Sequence, residues 1–240
     1  MPTFAWIAAL VVTYFAATVQ GIVGLGFAMV SVPILAFIDP SFAPVPQLLM
    51  TLPLTMVMAW RERSHLSLKG VGWVLTGRLP GAAIGVALLA VATQVILQTT
   101  IAVLVVIAVV IIATGVQVKR TPATQFGAGL FSGVSGLVAS IGGPPLALLY
   151  TTDEGPVVRS NLAAVFVVGL SISIVARQIS GNMSWEDVRV AALLFPALVV
   201  GYLTSLVVKD RWSTAAVRKG ILALSLLGSI ALIARALLLG

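Results

Sequence analysis

The 240-residue chain is 60% hydrophobic and only 9% charged, with a mean hydropathy of +1.13, so lipid and not water is its main solvent. Its net charge is +7, yet Lys and Arg are scattered at segment ends, which excludes a nucleic-acid-binding face. With no cysteine and one histidine, His65, disulfides, thiol redox chemistry and a His/Cys metal site are excluded too.

Between turn signals, the chain predicts membrane segments near 4–20, 25–38, 44–60, 71–91 and 96–118. A second set follows near 123–139, 144–152, 159–178, 187–208 and 216–238. The first lacks a basic leader and a small-residue cleavage site, so it reads as a retained segment. A helix needs about 20 apolar residues to cross a bilayer. The segments at 25–38 and 144–152 are too short, and each reads as the return arm of a hairpin with the segment before it. The expectation is an all-α polytopic membrane protein of eight to ten segments. Residues 1–120 and 121–240 form two repeats of one transport domain, with no room for a soluble module.

On this segmentation one side collects Arg61, Arg63, Lys69, Lys119, Arg120, Arg159, Lys209, Arg211, Arg218 and Lys219; the other has Arg177, Arg189 and Arg235. The rich side is expected to be cytoplasmic, which puts both termini in the periplasm of an inner-membrane protein. Five elements per half then make the two repeats inverted. Spacing supports a duplication. Gly21, Gly24 and Pro33 lie over Gly133, Gly136 and Pro145 at identical intervals, and Gln47-Leu48 over Asn161-Leu162, Ser64 over Ser180, Pro80 over Pro196 and Gly85 over Gly201 follow in the same order.

Paired glycine and proline interruptions point to a site, because lipid cannot satisfy the backbone groups that a broken helix exposes. In the first copy the break is Gly21-Ile22-Val23-Gly24-Leu25-Gly26-Phe27; in the second it is Ser140-Ile141-Gly142-Gly143-Pro144-Pro145. Converging helix N-termini there would attract an anion. The competing reading is close helix packing through small residues.

At these blocks the chain resembles the sulfite exporter TauE/SafE family, also called the toluene-sulfonate uptake permease group. The resemblance rests on Gly21 to Gly26 with Pro33, on Gly133-Val134-Ser135-Gly136 leading to Pro145, and on Arg159-Ser160-Asn161-Leu162. It implies a bacterial-type permease for sulfite or a small sulfonated or carboxylated anion, commonly an exporter. Phe27-Ala28-Met29 after Gly26 departs from the family's richer glycine run.

The expected substrate-binding set is Gly24, Gly26, Gln47, Arg78, Ser140, Gly142, Gly143, Pro144, Arg159 and Asn161. Arg78 stands about 12 Å into an apolar segment, where a cation is costly; an anion contact competes with snorkelling or a structural bond to carbonyls. Arg159 is an entrance cation or a positive-inside anchor. Gln47 and Asn161, superposed by the repeat, are amide donors or interhelical glue. His65 reads as a solvated loop residue, and all seven acids fall at segment ends or loops, so the buried carboxylate of a proton-coupled carrier is not expected. No Ser–His–acid constellation or Walker-type phosphate loop occurs, so neither catalysis nor a cofactor is expected. The partners are a small anion and the bilayer, with homo-oligomerisation left open. A channel-like anion pore and a non-transporting scaffold remain as alternatives.

Overall fold

The computed structural model describes residues 3–67, 70–150, 155–209 and 211–239; Lys69, Asp153, Glu154 and Asp210, used in the charge reading above, lie outside them. The described residues contain no strand and ten α-helices. The first five are α1 (Thr3–Val23), α2 (Phe27–Ile38), α3 (Val45–Arg61), α4 (Val71–Val91) and α5 (Gln94–Thr114). The second five are α6 (Pro122–Ala139), α7 (Gly143–Ala147), α8 (Gly155–Ile179), α9 (Trp185–Val208) and α10 (Thr214–Leu239). Seven helices are long and apolar enough to cross a membrane. Large apolar side chains such as Phe4, Leu79, Val110, Leu203 and Leu227 are exposed on the bundle's outer surface, an arrangement that lipid stabilises and water would not.

Local chemistry sets the helix ends. Thr93 caps α5 through Oγ1 to the Ile96 amide at 3.3 Å, and Gly115, at φ 60°, ends it three residues before the expected boundary. Thr121 with Thr124 and Ser184 with Asp187 form capping boxes at the starts of α6 and α9. The two short expected segments are short helices: α2 has 12 residues, and α7 has 5 before a 3-10 turn over Leu148–Tyr150.

Each short helix returns to the end at which its hairpin begins. Trp6, early in α1, meets Phe42, just after α2, with ring centroids 4.9 Å apart. Arg120, just before α6, lies 5.1 Å from the Tyr150 ring, just after α7. Arg235, late in α10, donates to the carbonyls of Ala36 and Phe37, which places the C-terminal end of α10 beside the N-terminal end of α1. At the opposite end Glu62 bonds Arg159, and Arg218 bonds the Ile112 carbonyl. The α1–α2 and α6–α7 hairpins therefore enter the bundle from opposite ends.

The helix pairings come in matched sets: α1 with α9 and α6 with α4, α3 with α9 and α8 with α4, α2 with α10 and α7 with α5, while α3 packs on α8 and α5 on α10. The α4–α6 crossing is made by small residues. A Cβ at Gly77, Gly81, Gly129 or Gly133 would overlap a carbonyl of the facing helix, so the two backbones touch. The α1–α9 crossing seats Gly201 against the Tyr14 carbonyl; under the sequence superposition the partner of Tyr14 is Phe126, whose carbonyl faces Gly77 and not Gly85. The pairings recur, while the glycine register of the two crossings differs by about two turns.

Candidate functional site

The breaks between α1 and α2 and between α6 and α7 meet at one cavity. Leu25, Gly26, Ala28 and Met29 line it from the first hairpin, and Ser140, Ile141, Gly142, Gly143 and Pro144 from the second. Thr51 of α3, Arg78 of α4 and Phe166 and Leu170 of α8 complete the wall. It offers about 30 Å³ to water centres, room for two or three water molecules at about 10–15 Å³ each.

The first break is possible because Gly24 and Gly26 hold φ of 94° and 120°, a region closed to most side chains. Gln20 stabilises the restart: its Oε1 accepts from the Phe27 amide at 3.0 Å, satisfying the first orphan donor of α2. In the second break Ser140 adopts φ 60°, its hydroxyl donates to the Pro44 carbonyl at 2.8 Å, and the Ile141 amide returns to the Ser135 carbonyl at 3.1 Å. Pro144 and Pro145 open α7 but have no N–H, so this tip offers fewer backbone donors than an ordinary helix start.

Among the described residues, Arg78 is the only charged side chain lining the cavity. It is 1% exposed and does not snorkel. Its Nη1 donates to Ser132 Oγ at 2.8 Å, and Ser132 Oγ donates onward to the Gly142 carbonyl at 2.6 Å, tying the cation to the second tip. Gly169 of α8 makes room for it, since a Cβ there would overlap the guanidinium; one at Gly136 would come within 3.1 Å of Nη2. No Asp or Glu pairs with Arg78 among the described residues. A guanidinium has five N–H donors. The cavity thus presents a buried, fixed cation whose remaining donors an anion can use.

Six of the ten expected site residues line this cavity: Gly26, Arg78, Ser140, Gly142, Gly143 and Pro144. The other four do not line it. Gly24 lies against the side chain of Arg159, whose Nε donates to Glu62 Oε1 at 3.2 Å. Arg61 donates to the same oxygen at 2.9 Å and to the Tyr202 hydroxyl at 3.2 Å. Burial pushes the Glu62 carboxyl up, but hydrogen bonds and charge from Arg159 and Arg61 outweigh it and hold it below the usual carboxylate range. Asn161 accepts from the Ser67 amide at 2.9 Å and so anchors the loop before α4. Gln47 is fully buried, and neither its Oε1 nor its Nε2 has a partner. It lies one turn from Thr51, which does line the cavity.

Several contributors were not singled out from the sequence. Gln20 carried a legible signal, as a polar residue in an apolar run beside the first break. Gly169, Phe166 and Leu170 carried none, because glycine and apolar residues in a membrane helix look like packing. Arg177, counted above on the side poor in Lys and Arg, is 3% exposed and donates to the carbonyls of Leu137 and Val138 at 2.8 and 3.1 Å, capping the end of α6. The described acids keep to helix ends: Asp39 caps the 3-10 turn over Pro40–Phe42, Glu62 follows α3, and Glu186 and Asp187 lie in the first turn of α9.

Comparison with curated proteins and with solved structures returned no match in either case. Comparison with protein-family models returned the sulfite exporter TauE/SafE family over residues 9–232, nearly the whole chain and both broken hairpins. By that match, and in keeping with its apolar helices, the chain belongs to the sulfite exporter TauE/SafE family of membrane transport proteins.

Proposed function

We propose that the protein exports sulfite or a small organosulfur anion, such as a sulfonate, by alternating access around the Arg78 cavity. The observation that carries this reading is the buried guanidinium without a carboxylate partner, held where the two hairpin tips meet. An unpaired cation in a membrane interior is costly, and an anionic substrate supplies the missing charge for part of the cycle. The Gly143 amide adds a donor to the bound oxygens. Phe166, Leu170 and Met29 provide apolar contacts for an organic substituent. Gln47 adds an amide in the conformation in which the tips separate, which gives its unpaired atoms a role.

The matched helix pairings and the opposed hairpins support two inverted repeats, 1–120 and 121–240, that rock against each other about the cavity. The basic end faces the cytoplasm and both termini the periplasm of the inner membrane, as the Lys/Arg partition favours. An inside-negative potential drives an anion outward by about 2.3 kcal/mol per charge per 100 mV, so efflux needs no embedded proton carrier. The test is flux from sealed proteoliposomes loaded with sulfite, sulfonates, sulfate or carboxylates. Saturable, voltage-accelerated efflux of a sulfur anion is expected; no flux of any of them, from protein of normal stability, would discard the reading.

A further inference from the structure

The Arg78 cavity is the inner end of a row of three. A second cavity of about 200 Å³ adjoins it, and Leu25 and Pro144 line both. Val23, Ile111, Tyr150 and Arg218 bound this second space. A third, wider hollow of about 550 Å³ shares Ile112, Gly115 and Arg218 with the second and adds Lys219. The row runs toward the end of the bundle where α5 finishes and α8 and α10 begin, the end that also carries Arg120 and Arg159. Among the described residues, no acidic side chain lines any of the three spaces.

We propose that this row is the route by which the anion enters from the basic end, with Arg218 and Lys219 as its collecting charges and Leu25 as the leaf that closes it. The proposal rests on the reading of Arg78 as the anion's receiver. Cations fixed in a hollow with low-dielectric walls concentrate anions there. The constriction between the second and first cavities has one adjustable side and one rigid side. Leu25 lies between Gly24 and Gly26, both at positive φ and outside the helices, so it can swing through glycine dihedrals without breaking a helical ladder. Pro144 opposes it with a fixed φ in the first turn of α7. Closed, the leaf separates Arg78 from the basic end. Open, it joins a cationic vestibule to a cationic site along a path that no acid among the described residues lines.

The chain has no cysteine, so a single introduced thiol reports accessibility without background. Ala147→Cys places it in the second cavity, with Ser64→Cys and Glu186→Cys marking the two ends of the bundle. Sealed vesicles carrying each variant are exposed to 2-sulfonatoethyl methanethiosulfonate or its trimethylammonium analogue, neither of which crosses the bilayer. The expected result is labelling of A147C from the S64C side only, faster for the anionic reagent by on the order of fivefold, with the difference lost in A147C/R218Q. In flux assays L25W should lower the maximal rate about tenfold while A147C/L25W labels normally, and L25A should raise anion leak. Labelling of A147C from the E186C side, or from neither side, overturns the route. Equal rates for the two reagents overturn the role of Arg218, and unchanged flux in both Leu25 variants overturns the leaf. If Arg78 does not bind the anion, the labelling pattern survives, so the two failures are told apart.

Discussion

Arg78 concentrates the energetics of the site in one side chain. Removing its charge should cost the substrate a charge-assisted hydrogen bond worth about 1.5–3 kcal/mol, or about ten- to a hundredfold in affinity. Arg78→Gln is therefore expected to bind the anion weakly while keeping its thermal stability. Arg78→Lys should fall between, since it keeps the charge but loses the planar fork. Calorimetric titration of both checks this, and wild-type affinity in Arg78→Gln would remove Arg78 from the site. Gln47 separates two explanations in one experiment. If its amide serves only packing, Gln47→Leu should stabilise the protein by removing two buried unsatisfied atoms, with transport unchanged. The expectation here is higher thermal stability together with weaker anion affinity. Glu62 gives a pH dependence of definite sign. Its carboxyl is lowered in the folded state, so the stability from its Arg159 and Arg61 contacts is fully present above the unfolded carboxylate pKa and is lost as pH falls through the lowered native value. Glu62→Gln should accordingly be less stable than the parent by about 1–2 kcal/mol at neutral pH. The gap should close on acidification, as paired thermal melts across the acid range would register.

The working elements are the two hairpin tips, and bulk there should act differently from bulk on the same hairpin's outer face. A Cβ at Gly143 would lie 3.3 Å from Phe166 Cζ and 3.6 Å from Leu25 Cβ, on the wall of a cavity that holds only a few waters. Gly127, on α6, has nothing within 4 Å of the corresponding position. Gly143→Val should cut anion affinity and flux by about tenfold or more, whereas Gly127→Val should leave both near normal. Equal behaviour of the two variants, matched for thermal stability, would move the site elsewhere. Gly228 is a poor comparator, because a Cβ there would come within 2.9 Å of Ile34 and disturb the packing of α10 on α2. The tips themselves were legible, since glycines and prolines mark breaks locally. Their crowding against α4 and α8 was not, because it depends on which face each helix turns inward.

Across the whole molecule, opposed hairpins and same-end termini make orientation testable in one measurement. Reporter fusions at the N- and C-termini should both read periplasmic, with a fusion in the Arg61–His65 loop reading cytoplasmic. Opposite readings for the two termini would contradict the helix-end contacts of Trp6, Phe42 and Arg235. The reverse result for all three would leave the fold standing and reverse the direction in which the cavities open.

Composition and local pattern determined that this chain lives in lipid, where two of its helices break, and that the described acids stay at helix ends. Each of these is decided within a few residues, by apolar length, caps and missing N–H groups. Tertiary structure alone decided that Arg78 faces a cavity and not the headgroups, and that Asn161, paired with Gln47 by sequence, holds the Ser67 amide. It also decided that Arg159 is occupied by Glu62. The physical reason is rotation and approach. The glycine contacts that bring the α4 and α6 backbones together, and the gap at Gly169, set which side chains share a space, and both arise between helices far apart in the chain.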